Sequence, residues 1–147
     1  MINWTCKPFN QLSAGELYAI MQLRSEVFVV EQNCVFLDAD NKDQACYHLC
    51  GNSAGRLVAY TRLVPPGIAY AEASIGRVVT AITARRSGFG RLLMDESIAR
   101  CRQLFGEGTI RIGAQLYLKD FYASFGFVPT GGIYPEDGID HIEMLLS

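Results

Sequence analysis

Arg85-Arg86-Ser87-Gly88-Phe89-Gly90 lies between a stretch that reads as an apolar strand and one that reads as an amphipathic helix. A basic, glycine-spaced turn at a helix start offers backbone N–H groups, guanidinium charge and the positive end of a helix dipole. That combination fits a phosphate or pyrophosphate, and Arg91 adds a third cation. The string is not a P-loop, which needs G-x-x-x-x-G-K-[ST]. It also lacks the third glycine of G-x-G-x-x-G, because Leu93 stands there. Gly-x-Gly alone fits an ordinary strand-to-helix turn equally well. The turn points to a phosphate-bearing ligand and to nothing narrower.

Two other stretches carry ligand-type side chains. Cys46-x-His48-x-Cys50 invites a metal reading. On a strand, however, residues two apart lie about 6–7 Å from one another and residues four apart about 13 Å. A zinc ion with ligand bonds of about 2.0–2.3 Å cannot reach all three, so one buried strand face is expected. The acidic run Asp38-Ala39-Asp40-Asn41-Lys42-Asp43 fails as a calcium loop. Counted from Asp38, the positions that need an oxygen ligand, a glycine and a glutamate hold Lys42, Asp43 and Leu49. A solvated loop is expected there, and no metal.

These residues must be positioned by elements that the sequence also marks. Ser13 and Glu16 form an S-x-x-E capping box, with Leu12 and Leu17 as its hydrophobic staple. Leu17, Ile20, Met21, Val27 and Phe28 then recur at helical spacing. Arg24 falls near that face and reads as a snorkelling edge residue in preference to a cation pointed into a cleft. Residues 45–50 and 56–64 predict antiparallel strands joined at Asn52–Gly55, and Pro65-Pro66-Gly67 ends the second. A strand over Ser74–Thr80 precedes the basic turn, and a helix runs from the turn to about Leu104. Its buried side is expected to be Phe89, Leu92, Leu93, Cys101 and Leu104. A strand over Thr109–Ala114, a short helix over Tyr117–Phe125 and a hairpin of 127–134 with 141–146 follow, turned by Pro135–Gly138. This order predicts a mixed sheet with helices packed on it.

Bulk properties exclude several classes. The chain has 147 residues, half of them hydrophobic, and reads as one folded domain over 1–147. A net charge of −2 argues against nucleic-acid binding through bulk electrostatics. No apolar run approaches the roughly 20 residues that span a bilayer, and the N-terminus lacks the layout of a secretory signal. A cytoplasmic protein is expected, its five scattered cysteines reduced.

A second constellation follows the Thr109–Ala114 strand, Gln115-Leu116-Tyr117-Leu118-Lys119-Asp120-Phe121-Tyr122-Ala123-Ser124-Phe125-Gly126-Phe127. With the basic turn, it resembles the GNAT superfamily of acyl-CoA-dependent N-acetyltransferases. Arg85, Gly88 and Gly90 match that superfamily's [Q/R]-x-x-G-x-[G/A] phosphate loop. Phe121, Tyr122, Gly126 and Phe127 match its later N-x-x-A-x-x-[F/L]-Y-x-x-x-G-[F/Y] motif, from which Gln115 and Leu118 depart. Residues 24–34, 75–79, 113–115 and 134–142 narrow the likeness to the ElaA-type branch, with which Gln115 agrees.

The resemblance implies an α/β fold: a GNAT-like mixed, mostly antiparallel sheet flanked by helices, with a splayed acyl-CoA cleft between the Ser74–Thr80 and Thr109–Ala114 strands. Acetyl-CoA would be the cosubstrate. Its pantetheine would pair with backbone near Val78 and Val79 and meet the Gln115 amide. Its pyrophosphate would sit at Arg85 and on the N–H groups of Arg86, Ser87, Gly88, Phe89, Gly90 and Arg91. Tyr122 would be the acid toward the departing thiolate, and a backbone N–H near Val79 would face the oxyanion. Glu31, Glu136, Asp137 and His141 flank the acceptor side and are the candidates for base. Glu136 and Asp137 also fit as turn residues, and His141 as a strand start. The implied acceptor is an amine of a small molecule or peptide. Homodimers in this superfamily form through sheet edges or C-terminal strands. A noncatalytic acyl-CoA-binding module is the contrasting function.

Overall fold

Helix α1 (Ala14–Arg24) begins where the capping box predicts. The Ser13 hydroxyl accepts the Glu16 N–H at 3.0 Å, and the Glu16 carboxylate accepts the Ser13 N–H at 2.8 Å. The helix buries Ile20, Leu23 and Arg24. It then runs on as a π-helical segment, Ser25–Glu31, a wider turn that re-aims the side chains after it. The computed structural model describes residues 1–147.

Strands β1 (Asn3–Pro8), β2 (Tyr47–Ser53), β3 (Arg56–Val64) and β4 (Ser74–Thr80) form an antiparallel sheet in that order. Strand β1 is absent from the sequence-based expectation. It is an edge strand, half-exposed along most of its length and ending at Pro8, so it carries no clean alternation. Strands β5 (Ile110–Gln115), β6 (Val128–Glu136) and β7 (Ile139–Leu146) form a second antiparallel sheet, ordered β5-β7-β6. The two sheets meet at one parallel bridge between Ala73 and Ile110, where the Arg111 N–H donates to the Ala73 carbonyl at 2.9 Å. Past it β4 and β5 separate. The predicted mixed, mostly antiparallel sheet is therefore splayed into a V at the β4–β5 seam.

Two hairpin turns are tighter than the sequence implies. Strands β2 and β3 join through Ala54 and Gly55 (φ 51° and 77°), and β6 and β7 through Asp137 and Gly138 (φ 51° and 78°). Positive φ at both central residues is the type I′ geometry that matches strand twist. The final hairpin consequently keeps Pro135 and Glu136 within β6.

Helix α2 (Phe89–Phe105) covers the first sheet with Leu93, Met94, Ser97 and Cys101. Leu92 and Leu104, expected on that face, are 46% and 38% exposed. The buried stripe is rotated toward Ser97, whose hydroxyl donates to the Leu93 carbonyl at 2.6 Å and pairs with Thr61 at 2.8 Å. Helix α3 (Lys119–Ala123) is a short piece that presents Tyr122. All five cysteines are free thiols.

The expectations for Arg24 and for the acidic loop are both overturned. Arg24 is fully buried, and it neither snorkels nor enters the cleft. Its Nε donates to Asp38 at 2.7 Å and its Nη1 to Asp43 at 2.8 Å. Arg62 donates to Asp40 at 2.8 and 2.9 Å and to Asp43 at 3.0 Å. Buried carboxylates need such partners, so the run that reads as solvated is folded inward around Arg24, Arg62 and Arg77. Cys46, His48 and Cys50 are all buried. His48 Nε2 donates to the Asp43 carbonyl at 2.9 Å, and its Nδ1 accepts the Tyr60 hydroxyl at 2.7 Å. Burial pushes this imidazole below its ordinary range.

Candidate active site

The V between the sheets is opened further by a bulge in β4. Tyr60 faces Val79 and Arg62 faces Gly76, so three steps on β4 oppose two on β3. The extra turn is taken at Arg77, a non-glycine residue at φ 51°. Its guanidinium holds that conformation through Asp38, with Nε donating to Oδ1 at 2.8 Å and Nη2 to the carbonyl at 2.9 Å. A cavity of about 420 Å³ occupies the opening. Val78 and Val79 line one wall, and Gly113 and Gln115 the other.

Tyr122 enters this cavity from α3 and is 6% exposed. Its ring packs edge-on against Phe121 and Phe127, with centroids 5.3 and 6.2 Å away. Its hydroxyl has no hydrogen-bond partner in the chain. Burial pushes it well above the ordinary phenol range, so the group stays protonated at neutral pH.

Across the mouth stands the basic turn. Gly88, at φ 79°, is the N-cap of α2 and supplies no side chain. The N–H groups of Phe89, Gly90 and Arg91 in the first helical turn meet no acceptor in the chain. Of the residues singled out in this turn, only Arg85 and Gly90 line the cavity itself. Arg85 is bound bidentately to Glu31 at 2.5 and 2.7 Å. Arg91 donates to the Ser124 hydroxyl at 2.9 Å and lies 4.4 Å over the Phe125 ring. Ser87 donates its hydroxyl to the Ala84 carbonyl. Arg86, at φ 69°, is exposed. One arginine of three therefore carries an uncommitted guanidinium, and the unclaimed backbone N–H groups are the more consistent anion donors.

The acceptor-side candidates lie in different settings. Both carboxylate oxygens of Glu31 accept from Arg85, and that hydrogen bonding holds its carboxyl below the ordinary range. Asp137 lines the cavity from the β6–β7 turn, where its backbone carbonyl accepts the Cys34 thiol at 3.0 Å. His141 is 7% exposed and also lines the cavity. Its Nδ1 lies 2.7 Å from the Ile139 carbonyl, and its Nε2 lies 3.7 Å from a Glu136 carboxylate oxygen.

Two cavity residues escape the sequence reading. Gln32, just past the π-helical segment, faces Gln115 with the two side-chain amides 3.3 and 3.4 Å apart. Cys34 reaches across to Asp137. These pairs span 83 and 103 positions, and no local pattern marks them. Gln115 thus faces the cavity from β5 with its amide already matched by a second one.

The family of acetyltransferase (GNAT) domains matches residues 21–147. Protein ElaA of Escherichia coli is 39% identical over 146 residues, covering 98% of this chain and 95% of that protein. Its crystal structure superposes with a TM-score of 0.93 over the full length of both chains. An acyl-CoA N-acyltransferase from Pseudomonas aeruginosa is 38% identical and superposes at a TM-score of 0.95, again over both whole chains. An aminoglycoside 6'-N-acetyltransferase, solved in complex with coenzyme A, shares the fold at a TM-score of 0.70 and 13% identity, covering 96% of this chain and 95% of that one. The chain therefore belongs to the GNAT family of acetyltransferases.

Proposed function

We propose that this protein transfers an acetyl group from acetyl-CoA directly to an amine of a small molecule or peptide. The observation that carries the reading is Tyr122, a buried ring whose protonated hydroxyl has no partner in the chain and opens to the cavity. Although the ring is buried, the hydroxyl oxygen opens to the cavity and is free to hydrogen-bond a ligand sulfur. The residues present fit coenzyme A: free N–H groups at the start of α2 suit its pyrophosphate, and the backbone at Val78 and Val79, beside the bulge, lines the cavity where its pantetheine would pair.

Acetyl-CoA supplies an acyl group activated as a thioester. Val78 and Val79 orient it, and the backbone N–H near Val79 stabilises charge on the carbonyl oxygen. Tyr122 hydrogen-bonds the departing sulfur. Its raised pKa makes it a poor acid by itself, since a free thiol titrates near about 8.5. It therefore works as a relay, passing a proton to sulfur while taking one from the acylated nitrogen.

A noncatalytic acyl-CoA-binding module is the contrasting function, and Tyr122 argues against it because a pure binder gains little from a proton relay at sulfur. Titration calorimetry with coenzyme A, and free-thiol release from acetyl-CoA with a panel of amines and peptides, separate the two. Acceptor-dependent thiol release is expected. Binding without release from any acceptor would favour the module, and absence of binding would sink both.

A further inference from the structure

His141 lies in the middle strand of the second sheet, opposite Gln115 on β5 and Tyr134 on β6. Its ring tilts against Tyr134 with centroids 5.8 Å apart, and it is 93% removed from solvent by the complement of its 7% exposure. A backbone carbonyl can only accept a hydrogen bond, so the 2.7 Å contact with Ile139 requires the proton on Nδ1. The neutral ring then carries its lone pair on Nε2. That nitrogen has no hydrogen-bond donor in the chain, and the Glu136 carboxylate stands 3.7 Å from it. His48 is fixed the other way round, with Nε2 donating to Asp43 and Nδ1 accepting from Tyr60. One histidine is thus locked into the core, and the other presents a basic lone pair beside the cavity.

We propose that His141 is the general base of the transfer and that Glu136 is its positioning residue, offsetting the imidazolium charge. The assignment rests on the N-acetyltransferase reading above. Nε2 takes a proton from the acceptor's ammonium group, so an N–H bond breaks and an Nε2–H bond forms. The freed lone pair makes the C–N bond as the C–S bond breaks. Tyr122 gives its proton to sulfur and recovers one from the amide nitrogen, and His141 releases its proton to solvent. Charge and protons balance without a further reactant.

The groups facing His141 accord with this role. Glu136 and Tyr134 approach from β6 and the neutral Gln115 from β5, while Asp137 lines the same cavity from the turn. The two arginines that line the cavity are both paired, Arg77 with Asp38 and Arg85 with Glu31. Glu31 is already spent as an acceptor for Arg85.

The test compares two acceptors at pH 7, a primary alkylamine, which is protonated, and methoxyamine, which is uncharged and needs no base before attack. His141→Asn retains a donor near the Ile139 carbonyl but has no lone pair in place of Nε2. It is expected to lower the ratio of alkylamine to methoxyamine transfer by about 10²-fold or more. Glu136→Gln is expected to lower the ratio less. An unchanged ratio in His141→Asn, or a collapse in Glu31→Gln or Asp137→Asn instead, overturns the assignment while leaving the acetyltransferase reading intact. Loss of thiol release with every amine in the wild type defeats that reading and takes the base with it. Nitrogen-15 NMR of the two histidines is the independent readout. It should find opposite neutral tautomers, Nδ1–H at His141 and Nε2–H at His48, and an Nε2–H tautomer at His141 overturns the proposal.

Discussion

Arg77 and Asp38, 39 positions apart, are joined twice: Nε donates to the carboxylate at 2.8 Å and Nη2 to the backbone carbonyl at 2.9 Å. The pair ties the bulge that opens β4 to the loop that follows the π-helical segment. Arg24 holds the same aspartate from α1, with Nε 2.7 Å from its second oxygen. Asp38 is therefore the joint at which helix, loop and cavity wall meet, and the shape of the cavity depends on it.

Removing Arg24 strips one of two arginine partners from each of the buried Asp38 and Asp43, which keep Arg77 and Arg62. Breaking one side of a buried pair costs about 3–5 kcal/mol, so Arg24→Ala should lower the stability measured by urea denaturation by that amount. A loss below about 1 kcal/mol, the range of an exposed ion pair, would mean that the network is dispensable. Because the loop carries Gln32 and Cys34 into the cavity, coenzyme A affinity should weaken in the same variant under conditions where it remains folded.

The acid side of the stability profile follows from the same groups. Burial opposes ionisation of Asp40 and Asp43, but hydrogen bonds and charge from Arg62 and Arg24 overcome it and hold both carboxyls below the ordinary range. The unfolded chain therefore takes up protons first as the pH drops. The contribution of these aspartates is complete above their unfolded value near about 3.9 and is lost below it. Burial lowers His48 in the same sense, so its share begins to fall below about pH 6.5. Urea midpoints should decline gently from pH 7 to 5 and steeply below about pH 4.5. His48→Gln should flatten the first phase and Asp43→Asn the second. A midpoint that rises on acidification would contradict the sign.

What could be read from the chain alone follows the range of the interactions. The basic turn, the Tyr122 motif, the capping box and six of the seven strands are local patterns, and each lies where its residues predict. Arg24 reads as an edge residue because its partners lie 14 and 19 positions away, in a run whose polarity mimics solvent exposure. The π-helical turn has no compositional mark, and it decides that Gln32 meets Gln115. Strand β1 depends on pairing with β2 across more than forty residues, where Asn3 faces Asn52, and its own sequence is too polar to announce it. Leu92 and Leu104 read as inward-facing because their hydropathy exceeds that of Ser97. The hydrogen bond from Thr61 settles the helix rotation the other way.

Tyr122→Phe separates stability from chemistry. The hydroxyl has no partner in the folded chain, so its removal should change the urea midpoint little and can raise it slightly. Coenzyme A binding by calorimetry should persist, while acceptor-dependent thiol release falls by about 10²-fold or more. Equal rates for the two proteins would remove Tyr122 from the relay.

Gly113 and Gly51 both sit in strands where a methyl group meets side chains, and the expected outcomes differ. A Cβ at Gly51 would stand 2.6 Å from the Trp4 ring and 2.7 Å from Ile2. Both belong to or adjoin β1 and pack on the core, so Gly51→Ala should cost about 1–3 kcal/mol as overpacking and loosen that edge strand. A Cβ at Gly113 would stand 2.8 Å from the Tyr134 hydroxyl and 3.0 Å from that of Tyr70. These are the tips of partly exposed rings, which can swing aside at smaller cost. Tyr134 also packs on His141, so its displacement should tilt the imidazole away from Ile139 and Glu136. Gly113→Ala is therefore expected to keep most of its stability yet shift the His141 nitrogen resonances and reduce alkylamine transfer. Gly51→Ala should leave those resonances in place. Unaltered His141 resonances in Gly113→Ala would show that Tyr134 does not set the orientation of the ring.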